Sequence, residues 1–98
     1  MAVYAVTYTY AENSTEARDL HRPAHRAYLD GLSQQDVNLC SGPLGPDDAP
    51  GALLLFRAES AREALDHTEP DPFRVEGLVS DVSVREWVPV LGPLAKEF

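Results

Sequence analysis

Ninety-eight residues make a single domain's worth of chain, with no room for a separate cofactor-binding module. Lysine and arginine number 8 against 16 aspartate and glutamate, a formal charge of -8 that repels phosphate backbones and anionic headgroups and argues against nucleic acid or membrane surfaces as partners. At 44% hydrophobic and 24% charged the composition is that of a globular protein, and no apolar stretch approaches the roughly 20 residues of a spanning helix. The first basic side chain is Arg18, so no secretory leader is recognisable and the expected location is cytoplasmic. Cys40 is the only cysteine, which excludes an internal disulfide framework and a thiolate-rich zinc site.

Ala2 to Tyr10 is β-branched or aromatic at nearly every position, with Tyr4, Val6, Tyr8 and Tyr10 on one side of a period-2 pattern, and predicts a first strand. Asn13 with Glu16 three positions on has the spacing of a capping box, and Ala17, Leu20, Ala24, Tyr28, Leu29 and Leu32 recur at helical intervals behind it. Pro23 falls inside that helix, where a kink or a restart is expected. Val37 to Ser41 predicts a second strand. Gly42 to Gly51 predicts a loop, since six of its ten residues are glycine or proline. Ala52 to Phe56, apolar throughout, predicts a third strand covered on both faces. Ser60 and Glu63 form a second capping box ahead of a short helix that Pro70 must end. Asp71-Pro72 starts a further helical turn with Asp71 as N-cap, closing at Gly77. Alternating valines from Val79 to Val90 give the last strand.

The order β-α-β-β-α-β is the split βαβ pattern, an α+β ferredoxin-like fold in which a four-stranded antiparallel sheet carries both helices on one face. Strands one and three are apolar on both sides, so the helix-free face needs a cover. A second copy laid sheet against sheet, as a dimeric α/β barrel, supplies one. The whole of residues 1–98 forms one domain on this reading.

Arg22-Pro23-Ala24-His25-Arg26-Ala27-Tyr28-Leu29, then Ser41-Gly42-Pro43, Asp71-Pro72-Phe73 with Gly77-Leu78, and Val84-Arg85-Glu86-Trp87 with Gly92 follow one another on this frame. In that order and spacing they resemble the YciI-like (YCII-related) proteins. The resemblance spans about the whole chain and implies the ferredoxin-like fold, a homodimeric α/β barrel and a small-molecule enzyme, elimination of HCl from a chlorinated hydroxyhydroquinone being one activity known in the family. It also implies a histidine in the first helix and an aspartate before a proline as site residues, matched by His25 and Asp71. One departure is Gln35-Asp36-Val37, which stands where the family usually has a glycine.

Each candidate has a bland reading beside the functional one. His25 borders the core face of its helix and is either a structural side chain bonded to a carbonyl or a general acid/base. Asp71 is an N-cap by position, and its second oxygen remains free to accept from an imidazole. His21 lies four residues before His25, a zinc-binding interval, but no third ligand is evident and no metal is expected. Arg22 serves either as a clamp for a substrate carboxylate or phenolate or as a surface ion pair with Asp19 or Glu16. Cys40 reads as a small apolar strand residue, and Tyr4, Tyr8 and Tyr10 as core packing rather than cleft lining. Nucleotide, P-loop, nucleophile-elbow and zinc-protease motifs are missing from the sequence. Taken with the resemblance, the residues suggest a small cofactor-free enzyme, with His25 and Asp71 as a proton-transfer pair of lyase, isomerase or dehydrohalogenase type and Arg22 binding a small phenolic or lactone-like molecule. The alternative is a dimeric small-molecule-binding or accessory protein without catalysis.

Overall fold

The computed structural model describes Met1 to Phe98. Strands β1 (Ala2–Tyr10), β2 (Asn38–Pro43), β3 (Gly51–Ala58) and β4 (Val79–Trp87) are interleaved with helices α1 (Thr15–Gln34), α2 (Ala61–Thr68) and α3 (Pro72–Val75), and Ala95–Glu97 adds a 3-10 turn. The strands form one antiparallel sheet in the order β2-β3-β1-β4, the ferredoxin-like arrangement expected. It is an open sheet and does not close into a barrel within one chain.

Strand alternation decides where the core lies. Tyr4, Val6 and Tyr8 of β1 pair with Phe56, Leu54 and Ala52 of β3, and Leu29, Leu32 and Ala64 pack on this face from α1 and α2. Expected cover on both faces of β3 does not hold within one chain, since Leu53 on the opposite side is 38% exposed. Val3 on that second face is buried near Trp87, its partner in register, against which Phe98 packs edge-on. The ladder between β2 and β3 reaches Pro43 and Ala52, so the loop is shorter than the glycine and proline content suggested. Pro43 is tolerated because β2 is an edge strand. At the other end β4 stops at Trp87, leaving Val88 and Val90 exposed outside the sheet.

Helix α1 runs unbroken through Pro23, against the expected restart. Turns on both sides keep their own hydrogen bonds, and burial of His25, Leu29 and Leu32 offsets the roughly 3 kcal/mol that an interior proline costs. The buried stripe is rotated from the one read in the sequence. Leu20 is 74% exposed, because it stands five residues and thus about 140° around the helix from His25. The cap also differs: Ser14, not Asn13, precedes the first turn, with its hydroxyl donating to the Ala11 carbonyl and accepting from Arg18 Nε. Asn13 is in the left-handed region at φ 57°.

At the C-terminus of α1 the amide of Val37 donates to the Leu32 carbonyl and that of Asp36 to Ser33, the paired bonds of a Schellman cap. Asp36 takes φ 59° there. Aspartate tolerates this left-handed geometry better than most side chains, so the helix ends correctly without the family's glycine.

Candidate active site

Three segments far apart in sequence converge at Asp71. The turn between α2 and α3 delivers it because Pro72 starts α3 at its preferred first position, and the preceding aspartate caps through Oδ1, which accepts the Phe73 amide at 3.0 Å. Helix α1 brings His25, whose Nδ1 lies 2.7 Å from the same Oδ1. From the middle of β1, Tyr8 donates its hydroxyl to Oδ2 at 2.8 Å. Asp71 is fully buried, and the Phe73 amide and the Tyr8 hydroxyl both donate to its carboxylate.

A carboxylate oxygen accepts, so the Nδ1–H tautomer of His25 is the one that completes this hydrogen bond. In the neutral ring Nε2 then holds a lone pair. Phe73 lies flat against the imidazole, centroids 3.9 Å apart and planes 2° from parallel, which with the Asp71 bond fixes the ring's orientation. Burial, and next the negative charge and hydrogen bond of Asp71, push the Tyr8 phenol well above its ordinary pKa. Tyr8 therefore stays protonated and remains a donor.

His25 opens on a cavity of about 500 Å³. Arg18, Arg22 and Arg26 line it from α1, while Leu54, Ala52 and Phe73 supply apolar wall. Tyr10 also lines it, edge-on to Phe73 and beneath the Arg18 guanidinium at 4.3 Å. Its pKa is raised, chiefly by burial and against the opposing charge of Arg18.

The sequence candidates thus separate. His25 and Asp71 are in contact, and Arg22 bonds Asp19 at 2.6 Å, as its ion-pair reading expected, while also lining the cavity. His21 turns to Glu76, 3.7 Å away, and no group of three or more His, Cys, Asp or Glu side chains is placed to hold a metal ion. Cys40 is exposed on the edge strand rather than packed. Tyr4 and Tyr8 are core residues, as expected, but Tyr10 is at the cavity. Tyr8 as a partner of Asp71 went unrecognised, since nothing local links positions 63 apart. Arg18 and Arg26 were also missed, although their four-residue steps from Arg22 were a legible signal.

Comparison with solved structures places these features in context. The fold is similar to that of 5-chloro-2-hydroxyhydroquinone dehydrochlorinase (TftG) from Burkholderia phenoliruptrix AC1100, in complex with 2,5-dihydroxybenzoquinone. The TM-score is 0.73 and the identity 29%, over 87% of this chain and 92% of that one. A NIPSNAP family protein from Agrobacterium tumefaciens str. C58 shares the fold at TM-score 0.60 and 17% identity, over 94% and 96% of the two chains. A NIPSNAP domain protein from Burkholderia xenovorans does so at 0.56 and 10%, over 92% and 95%. No curated protein matches the sequence. The model of the YCII-related domain matches residues 2–88, nearly the full length of the sheet and helices just described, and the chain belongs to that family.

Proposed function

We propose that this protein is an enzyme that moves a proton on a small hydroxylated ring compound, with an elimination of the dehydrohalogenase kind as the reaction the site fits best. The observation that carries the reading is the 2.7 Å contact between His25 Nδ1 and the buried Asp71, which leaves Nε2 as the free nitrogen of a residue lining the cavity. His25 is the general base. A proton passes from a substrate O–H or C–H bond to Nε2, the freed electron pair moves into the ring system, and the leaving group departs with its own bonding pair. The substrate loses the elements of an acid, so no external oxidant or reductant is required. Asp71 holds the ring in the productive tautomer and stabilises the imidazolium that forms. Arg22 holds an anionic oxygen of the substrate.

Similarity to a dehydrochlorinase of a chlorinated hydroxyhydroquinone supports the choice of substrate class. Chloride release from 5-chloro-2-hydroxyhydroquinone tests it. The wild type is expected to exceed the buffer rate, with a loss of about 10²-fold or more in His25→Asn. Equal rates in the two proteins would remove His25 from the reaction. Tight binding of 2,5-dihydroxybenzoquinone without turnover of any hydroxylated ring would support a ligand-binding protein instead.

A homodimer belongs to the same reading. Leu53 at 38% and Trp87 at 41% exposure lie on the helix-free face with Leu55, and pairing this face with a second copy takes them out of water.

A further inference from the structure

Three of the chain's eight basic residues stand at one cavity. Arg18, Arg22 and Arg26 recur at four-residue steps along α1, which spreads them over about 12 Å of a single helix face. No aspartate or glutamate lines the cavity, although acidic residues outnumber basic ones 16 to 8 in the chain. The cavity inverts the charge of the molecule around it. Like charges at this interval destabilise a helix by themselves, so the stripe calls for something negative between its members.

The protein itself does not supply enough. Arg26 has no carboxylate within ion-pair distance. Arg18 is held by neutral groups, the hydroxyls of Ser14 and Thr15 and the ring of Tyr10. Arg22 gives Nη1 to Asp19, an exposed acid outside the cavity, and keeps the remaining donors of its fork. Sharing the cavity with these charges are Leu29, Pro43, Leu54 and Phe73, apolar surfaces suited to a ring.

We infer that the ligand is a ring compound bearing a carboxylate of its own, bound by the arginine stripe, in addition to the group that yields its proton to His25. This rests on the proton-transfer reading and narrows its preferred substrate from phenolic or lactone-like molecules in general to ring carboxylates, with 5-chloro-2-hydroxyhydroquinone, which lacks that group, turned over as a weaker-binding analogue. The planar carboxylate matches the planar guanidinium fork, which a neutral phenol does not. A phosphate ester offers similar oxygens and is one arm of the test.

Calorimetric titration of the full chain with hydroquinone, 2,5-dihydroxybenzoate, 2,5-dihydroxybenzamide and 4-hydroxyphenyl phosphate decides the matter, with the His25 imidazole resonances followed in parallel by NMR. The acid is expected to bind at least about tenfold more tightly than hydroquinone or the amide at low salt. That preference should shrink at high salt and vanish in the Arg22→Gln/Arg26→Gln double variant. Circular dichroism melting checks that the variant is folded. Equal binding of acid and amide, or tighter binding of the phosphate, would overturn the carboxylate inference; movement of the His25 resonances with hydroquinone would then leave the proton-transfer reading standing. Preferential binding of the acid without any movement of those resonances would sustain the arginine subsite and count against His25 as the base. Failure of all four to bind the wild type would overturn the inference outright.

Discussion

Replacing Asp71 separates its structural work from its chemical work. In Asp71→Ala the Phe73 amide, the Tyr8 hydroxyl and the His25 Nδ1–H all lose their acceptor, at residues that are buried. Each stranded buried donor costs about 1–3 kcal/mol, and loss of an N-cap alone costs about 0.5–2 kcal/mol. The three share one residue and do not add fully, so about 3–5 kcal/mol is expected. A domain of this size has about 5–15 kcal/mol in total and loses about 4–8 °C of melting temperature per kcal/mol, which puts the variant at the edge of folding. Asp71→Asn keeps one oxygen for His25 and Phe73 and turns its amide toward Tyr8, whose hydroxyl can accept instead of donate. Only the charge is lost, at about 1–2 kcal/mol. Urea unfolding followed by far-ultraviolet circular dichroism measures both variants against the wild type. An alanine variant within about 1 kcal/mol of wild type, or an asparagine variant as costly as alanine, would refute the three-bond account of this residue.

Alkaline stability should depend on Tyr8. Its phenol ionises near pH 10 when unfolded and higher when folded, so stability is complete below about pH 10 and falls above it by at most about 1.4 kcal/mol per pH unit. Urea midpoints between about pH 9 and 11 should therefore fall less steeply in Tyr8→Phe, and parallel curves would remove Tyr8 as the cause. A Cβ at Gly51 would collide with the Tyr8 backbone oxygen, whereas one at Gly31 on α1 meets nothing. Gly51→Ala should lower stability by about 2 kcal/mol or more and Gly31→Ala should raise it by about 0.5–1 kcal/mol, a pair read from melting temperatures. Light scattering should return about two chain masses for the wild type and one for Leu53→Lys; a wild-type particle of one chain mass would end the homodimer proposal.

What the sequence made legible was whatever local chemistry determines. Ser60 does accept the Glu63 amide, Asp71 does cap α3, and the tyrosines of β1 do alternate inward, because a cap or a strand face is set within a few residues. Helix phase was less legible. Leu20 is the more hydrophobic residue and His25 the more polar, yet His25 is buried, because its hydrogen bond to Asp71 compensates a burial that hydrophobicity would not predict. Tyr8 illustrates the remaining limit. Its apolar ring explained it fully as core, and the use of its hydroxyl depends on a turn brought alongside by the packing of two helices.

The flat stack of Phe73 on His25 gives the site a built-in spectroscopic label. Protons held above the face of a benzene ring feel its circulating π electrons as a shielding field, and at 3.9 Å with parallel planes the imidazole lies within that field. His25 should therefore resonate upfield of His21 and His67, neither of which stacks on an aromatic face; His67 meets Phe56 edge-on at 6.3 Å. Because the amide of Phe73 is bonded to the carboxylate that also holds His25, rotation of the imidazole out of the stack disturbs both ends of this arrangement. Loss of the upfield displacement on adding a ligand would report the moment at which the ring leaves its resting orientation.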